Sequence, residues 1–441
     1  MFNNQFNHQN YDEIHTFKMK NKKTSVLAIV FFFIGVTRGT AQQKKLSAFL
    51  TTTPTEALYE FMASEIDTLV INKLSKPWVF QEMTFKNVKN KVLMFEYGVV
   101  IQAKKDAFPK KNDSFFKFID CENISIIGNH SIIRMNKEKY VDGEWRHVIR
   151  LRGCKNFDIS DLTLRDSGGD GIAIGRSKKV WFSKNIRLDN LQCINNKRQG
   201  ISITSAEDVW VSNSCFADTI GTAPGAGVDI EPNVPEERIV NVNFNNCIFK
   251  NNYNVGINIG LPKLLSSSKK VSIRFENCTL ENNFSEENTK IPSEIRIQSH
   301  KTDPVKGTVV FKGCTIKNSK WRMLYARKNA EGFKVSFEDF RAEAVCSSPY
   351  SGAVIYLEVP HYSKDSNLGG YHFSNVTIDY TADKPIFMVR GSKRNPLNRL
   401  ENLSGEIVVT NPNLTVKPEI QYIGYMPLMD ENISLKIKKK N

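Results

Sequence analysis

The stretch 245–260, NNCIFKNNYNVGINIG, contains the pattern that decides the fold. A cysteine phrase is followed by paired asparagines, then by a glycine and a strand in which apolar and polar residues alternate. The cysteine phrase recurs at 191–196, 213–218, 276–283 and 312–319. The alternating strand recurs at 171–175, 200–204 and 227–231. Short alternating strands separated by Asn and Gly, at a period of about 22 to 36 residues, predict a β-solenoid.

In such a solenoid each coil adds one parallel strand about 4.8 Å above the last, so equivalent residues form columns. We align the strands by their inward apolar pairs, which are Ile149/Leu151, Ile172/Ile174, Ile201/Ile203, Val228/Ile230, Ile257/Ile259 and Ile295/Ile297. The eight cysteines should form an inward ladder of buried thiols. The paired asparagines should be turn residues whose side chains bond the backbone.

An export signal is predicted at residues 1–41. The segment 18–23 carries four lysines, the segment 25–36 is an apolar run of 12 residues, and small residues follow it. The run is too short for a membrane span. Met19 is an alternative start, because acidic residues precede the basic segment. We therefore expect an exported protein, periplasmic, cell-surface or secreted, with no membrane span.

The ends of the remaining chain differ from its middle. Residues 42–80 should form an N-terminal cap with a short helix capped by Thr55, because a solenoid exposes its terminal core unless something covers it. The parallel β-helix should run from 81–435, less regularly after about 341. The lysines of 436–441 are expected to form a solvated basic tail.

The charge balance favours an anionic partner. Lys and Arg number 61 against 46 Asp and Glu, a formal net charge of +15. Export disfavours nucleic acid, so we expect an anionic polysaccharide as the partner. We also expect the protein to be a monomer.

The outward residues of the aligned strands give the candidate site. The first outward column is Arg150, Ala173, Ser202, Asp229, Asn258 and Arg296, and the second is Arg152, Gly175, Thr204, Glu231, Gly260 and Gln298. Asp229 and Glu231 lie two residues apart on one strand, hence on one face and roughly 6.6 Å apart at the backbone. Two carboxyl groups at such a distance suit the acid and base of glycoside hydrolysis. We predict that these two are catalytic.

Other residues on this face are candidates for substrate binding. Guanidinium groups match carboxylates and sulfates, and a histidine can act as a base or a sugar ligand. The predicted substrate-binding residues are Arg150, Arg152, Asn258, Arg296, Gln298, His300, Asp170 and Arg198. No cofactor is required by this scheme. In an alternative interpretation Asp229 and Glu231 hold a calcium ion, and in another they only form ion pairs with the arginines.

Five phrases resemble a bacterial group of exported proteins in the right-handed parallel β-helix superfamily of pectate-lyase-like and polygalacturonase-like enzymes. They are EYGVVIQAKKDAF (96–108), EWRHVIRLRGC (144–154), DSGGDGIAIG (166–175), RQGISITSAED (198–208) and GTAPGAGVDIEPN (221–233). The resemblance covers roughly 78–340. It implies an all-β, right-handed parallel β-helix, with a short capping helix at the amino end. It also implies a site on the outward face of one strand stack, where Asp229, Glu231 and Arg296 lie.

The motifs of individual enzyme families do not carry over. RIQ at 296–298 is similar to the "RIK" of polygalacturonase-like enzymes, whose "NTD", "DD" and "GHG" are missing. Iota-carrageenases are similar in using two acids at i and i+2, but in the order Glu then Asp. The "DPH" of mannuronan epimerases is absent. The resemblance therefore implies a reaction class without a named substrate.

Three functions follow from these observations. We favour a secreted glycoside hydrolase that cleaves an acidic, uronic or sulfated, polysaccharide through Asp229 and Glu231. The alternatives are a polysaccharide lyase, calcium-dependent or with an Arg or His base, and a glycan-binding adhesin without catalysis.

Overall fold

The computed structural model describes residues 42–49, 53–284, 293–361, 366–416, 420–424 and 431–440. The predicted export signal at 1–41 lies outside these residues. Within them one α-helix, α1, spans Pro54–Ala63, and two 3₁₀ turns span Leu46–Ala48 and Lys137–Lys139. No helix in this part of the chain is both long and apolar enough to cross a membrane.

The described residues form 33 strands. The first sixteen are β1 Gln43–Lys45, β2 Thr68–Ile71, β3 Trp78–Phe80, β4 Met83–Lys86, β5 Lys89–Phe95, β6 Val100–Ala103, β7 Phe116–Ile119, β8 Glu122–Arg134, β9 Ile149–Arg152, β10 Lys155–Arg165, β11 Ile172–Gly175, β12 Ser183–Ile194, β13 Gln199–Ile203, β14 Ala206–Ser212, β15 Cys215–Ala217 and β16 Ala226–Ile230. The others are β17 Ile239–Asn245, β18 Ile248–Lys250, β19 Val255–Leu261, β20 Val271–Glu276, β21 Thr279–Glu281, β22 Ser293–Ser299, β23 Gly307–Lys312, β24 Thr315–Lys317, β25 Arg322–Arg327, β26 Lys334–Glu338, β27 Arg341–Glu343, β28 Ile355–Glu358, β29 Ser366–Asp379, β30 Phe387–Arg390, β31 Leu397–Thr410, β32 Ile420–Ile423 and β33 Glu431–Lys439.

The strands belong to two parallel sheets that wind along the chain, as a parallel β-helix requires. One sheet has 12 strands, and we call it the site sheet; its spatial order is β4, β7, β9, β11, β13, β16, β19, β22, β25, β28, β30 and β32. The remaining 21 strands form the large sheet. The described strands confirm the predicted fold class.

The predicted register is confirmed strand by strand. Ile172 pairs with Ile149 and Ile201, and Ile257 pairs with Val228 and Ile295. These inward residues are buried. The outward columns follow from the same pairings, so Ser202 lies beside Asp229, and Asp229 beside Asn258.

A stack of phenylalanines fills the core beneath the large sheet. Phe244, Phe275, Phe311, Phe337 and Phe373 lie on successive coils, with ring centroids 4.9, 5.2, 5.0 and 5.5 Å apart and ring planes within 11° of parallel. Equivalent positions one coil apart are separated by about the strand spacing, which is the distance at which offset aromatic rings stack. The repeat of the sequence is therefore a repeat of packing.

The cysteines are buried, free thiols, as predicted. They do not form one ladder, however. Cys193 lies beside Phe216, and Cys215 lies beside Ile248. The cysteines of these successive repeats are therefore not aligned with one another. Burial raises the pKa of the Cys215 thiol to about 11, which fits an apolar core role.

The paired asparagines act as predicted. Asn251 and Asn282 adopt left-handed φ values of 52° and 50°, which Asn tolerates in turns. Asn252 and Asn283 are buried. Their amides donate to the backbone carbonyls of Phe216 and Phe249 at 3.1 and 2.9 Å.

Helix α1 packs on the amino end of the β-helix. Its buried side chains include Leu58 and Phe61, and the Phe61 ring meets Phe49 edge-on at 6.3 Å. The prediction that Thr55 caps this helix is wrong. Thr53 is the N-cap, because its hydroxyl accepts the Glu56 N–H while the Glu56 carboxylate accepts the Thr53 N–H.

Thr53→Ala is expected to lower the free energy of unfolding by about 1 kcal/mol, because it removes the capping box at this helix end. Urea denaturation followed by circular dichroism measures the change. Thr53→Ser, which keeps the capping oxygen, is the control and should retain most of the stability. Equal losses in both variants would contradict the assignment of the cap.

Both ends of the β-helix extend beyond the predicted boundaries. The strands of 42–80 already pair in the large sheet, since β2 pairs with β1 and β5. At the other end β33 pairs in parallel with β31. The tail predicted at 436–441 is therefore corrected, because the lysines up to Lys439 lie in a strand.

Candidate functional site

A polar cleft of about 300 Å³ lies on the outward face of β9, β11, β13 and β16 and the loops beside them. Six of the residues predicted from the sequence line it: Arg150, Arg152, Asp170, Arg198, Asp229 and Glu231. The parallel register brings these residues together from successive coils. The cleft wall is completed by loop residues that include Trp145, His147, Arg176, Asn233 and Glu237.

Asp229 lies at the floor of the cleft, between two amides. The side chain of Gln199 donates to its Oδ2 at 2.5 Å, and that of Asn258 donates to its Oδ1 at 2.7 Å. These amides come from β13 and β19, the neighbours of β16 on either side. Asp229 is only 1% exposed, so its carboxyl group is fixed by the strands themselves.

Asp229 and Glu231 differ in environment although they share a strand end. Burial, and then repulsion from Glu231, raise the pKa of Asp229 to about 7, while Arg198 and the Asn258 amide oppose this rise. Glu231 is exposed at the cleft. A buried carboxyl group with a raised pKa therefore lies beside an exposed one, and this difference of environment suits an acid–base pair.

A second buried carboxyl group, Asp170, lies across the cleft floor. Ser202 donates its hydroxyl to Asp170 Oδ2 at 2.6 Å. His147 lies on its other side, where Nδ1 accepts the Asp170 N–H at 3.0 Å. Burial lowers the pKa of His147, so the neutral ring positions Asp170 through its backbone. His147 was not among the residues predicted from the sequence. Its position just before β9, the strand that carries Arg150, is the feature that could have indicated it.

Arg198 lies between the buried carboxyl groups. Its guanidinium is 3.9 Å from Asp170, 4.0 Å from Asp229 and 3.4 Å from Glu144. Burial opposes its charge, but Asp170, Asp229 and Glu144 outweigh burial and raise the pKa of Arg198. Arg198 was predicted to bind substrate, but its guanidinium already lies within 4.0 Å of three of the protein's own carboxyl groups.

Four predicted residues do not line the cleft. Asn258 supports Asp229 from the next coil. Arg296 and Gln298 lie one coil further, beside Tyr325 and Arg327. His300 Nδ1 accepts the Asp303 N–H at 3.0 Å, so it stabilises a turn.

The face beyond Arg296 is closed by a hydrogen-bonded cluster. Tyr325 donates its hydroxyl to Glu358, and Arg327 Nε donates to the same carboxylate at 2.9 Å. Tyr325 is 3% exposed. The cleft therefore extends from Asp229 toward the amino end and not toward Arg296.

The hydrogen bonds of Asp229 bear on the alternative in which it holds a calcium ion. Both of its oxygens already accept amide N–H groups, and the Arg198 cation is 4.0 Å away. Calcium prefers six to eight oxygen ligands. In the described part of the chain no group of three or more His, Cys, Asp or Glu side chains is arranged to hold a metal.

Comparison with known proteins supports the fold. Residues 118–285 match the family model described as "Right handed beta helix region". The chain is 30% identical over 149 residues to an uncharacterized protein, YclG, of Bacillus subtilis (strain 168); the match covers 30% of this chain and 26% of YclG. The matched region thus spans about a quarter of that relative.

Solved structures share the architecture at low identity. The Family 28 exopolygalacturonase of Yersinia enterocolitica has a TM-score of 0.55 and 13% identity, over 91% of this chain and 79% of that one. The tailspike protein of E. coli bacteriophage HK620, solved with a hexasaccharide, has a TM-score of 0.54 and 10% identity, over 90% and 78%. The GH87 α-1,3-glucanase of Streptomyces thermodiastaticus strain HF3-3 has a TM-score of 0.52 and 12% identity, over 92% and 69%.

Proposed function

The chain is a member of the right-handed parallel β-helix superfamily, and from that premise we propose that it is an exported glycoside hydrolase that cleaves an acidic polysaccharide. The observation that carries this proposal is the pairing of Asp229 with Glu231 in the cleft. Asp229 is buried, with its pKa raised to about 7, whereas Glu231 is exposed two residues away. Such a difference between two carboxyl groups suits one as the acid and the other as the base.

In the proposed reaction Asp229 is the general acid. Its proton passes to the glycosidic oxygen as the bond from that oxygen to the anomeric carbon breaks. Glu231 accepts a proton from a water molecule, whose oxygen bonds to the anomeric carbon. In this scheme Glu231 acts on a water molecule and forms no covalent bond to the sugar, so the scheme predicts inversion at the anomeric carbon.

Several features support a polysaccharide substrate. The cleft is lined by arginines and small polar residues, and the chain has a net charge of +15. The names of the structural relatives, an exopolygalacturonase, an α-1,3-glucanase and a tailspike with a hexasaccharide, supply the substrate class. Such substrates occur outside the cytoplasm, which agrees with the export signal predicted at 1–41.

The test is a reducing-end assay on a panel of uronate and sulfated polysaccharides, with ultraviolet absorbance recorded in parallel and with a chelator present or absent. Hydrolysis predicts new reducing ends without absorbance, and the same rate with the chelator. Absorbance that rises with the reducing ends would show the lyase reaction. Binding of glycans without any product would favour the adhesin.

A further inference from the structure

Among the arginines that line the cleft, Arg150 differs from its neighbours. Arg152 donates to the Arg176 carbonyl at 3.0 Å, Arg176 is paired with Glu237 at 2.9 Å, and Arg198 lies within 4.0 Å of three carboxyl groups. The Arg150 side chain has neither a hydrogen bond nor an ion pair with any described residue, although it lines the cleft. Its guanidinium donors are therefore open to a ligand.

The surroundings of Arg150 add positive charge. Lys117 is its register partner in β7, and Arg152 follows it in β9. Burial, and then Arg152, lower the pKa of Arg150 to about 10, and burial followed by Arg150 lowers that of Lys117. Carboxylates oppose these shifts, Asp170 at Arg150 and Glu82 with Asp113 at Lys117. They do not outweigh them, and within the described residues none of the three cations forms an ion pair.

Small residues separate this cationic end from the acid pair. Arg150, Ala173, Ser202 and Asp229 follow one another in a single column of the site sheet. The column spans three coil steps, roughly 14 Å at about 4.8 Å per step. A sugar chain that reaches both ends must therefore run across the strands, along the axis of the β-helix.

We propose that Arg150, with Lys117 and Arg152 beside it, binds the carboxylate or sulfate of a sugar unit. This sugar unit lies between the cleavage point and the amino end of the β-helix. The guanidinium fork suits both anions. This inference rests on the proposed function only in that the same cleft receives a glycan. It makes Arg150 the residue that selects acidic over neutral chains.

The test measures binding and needs no turnover. Isothermal titration calorimetry on the Glu231→Gln protein uses uronate and sulfated oligosaccharides, each beside its carboxyl-reduced or desulfated counterpart. We expect at least one acidic probe to bind about tenfold more tightly than its neutral counterpart, the effect of one charge-assisted contact. Comparison of the uronate and the sulfated oligosaccharides shows which of the two anions the site prefers.

Arg150→Gln in the same background should remove this preference, and Arg150→Lys should keep part of it. Arg187→Gln, which removes an exposed arginine of the large sheet, is the matched control and should change nothing. The inference fails if no acidic probe is preferred, or if the preference survives in Arg150→Gln. A preference that depends on Arg150 in a protein that cleaves nothing would support this inference while removing the proposed hydrolase.

Discussion

Asp229→Asn and Glu231→Gln are each expected to lower kcat about a thousandfold on any polysaccharide that the wild-type protein cleaves, because each removes one half of the acid–base pair. Both substitutions keep the size of the side chain. The amide oxygen introduced by Asp229→Asn can still accept one of the two hydrogen bonds made by Gln199 and Asn258. We therefore expect the variants to fold and KM to change little. Initial rates of reducing-end release measure the effect.

The matched control for these variants is Glu338→Gln, a carboxylate on the large sheet. It should retain the wild-type kcat, since it lies outside the cleft lining. Activity within a few-fold of wild type in either Asp229→Asn or Glu231→Gln would remove that residue from the proposed acid–base pair.

The second large effect is a pH-dependent gain of stability in Asp229→Asn. The pKa of Asp229 rises from an ordinary 3.8 to about 7 on folding, so the folded state binds more protons than the unfolded state between these values. The contribution of Asp229 to the free energy of unfolding of the wild type is therefore greatest below pH 4. It falls as pH rises toward 7 and stays low above pH 7. Asn carries no charge and escapes this loss.

The stability difference between Asp229→Asn and the wild type should therefore grow from about pH 4 to about pH 7, by up to about 4 kcal/mol. Urea midpoints at several pH values measure it, and taking the difference cancels the titration of groups common to both proteins. Glu338→Gln again serves as the control. A difference that is constant with pH would show that Asp229 is not held protonated in the folded protein.

The sequence was sufficient for the fold and for the strand register. Inward apolar residues separated by one outward residue, as in Ile201/Ile203 and Val228/Ile230, leave one alignment of successive coils. That alignment correctly placed Ser202, Asp229 and Asn258 side by side. A column of equivalent residues is a consequence of the repeat, so it needs no knowledge of the loops.

The environment of the site could not be predicted in this way. Alternation suggests that Asp229 faces solvent, yet every residue of β16 is buried. Loop residues such as Trp145 and Glu237 form the cleft wall, and loops do not follow the repeat. The contacts of His147 with Asp170, and of Arg198 with Asp170 and Glu144, depend on these loops as well.

The carboxyl terminus was misjudged for a different reason. Its lysine content suggested a solvated tail, but Leu435 and Ile437 alternate with Lys436 and Lys438 at the period of a strand. In the structure the two apolar residues pack against the core, and Lys438 pairs with Glu406 at 2.7 Å. Periodicity was the better guide than composition.

The most direct test of the proposed mechanism is cleavage of an acidic polysaccharide in water labelled with heavy oxygen. Hydrolysis by Asp229 and Glu231 predicts one labelled oxygen at each new reducing end. The wild type should form these labelled products, and Asp229→Asn and Glu231→Gln should not. Mass spectrometry of the products measures the label. Unlabelled, unsaturated products from the wild type would contradict hydrolysis and show that the bond is broken by elimination.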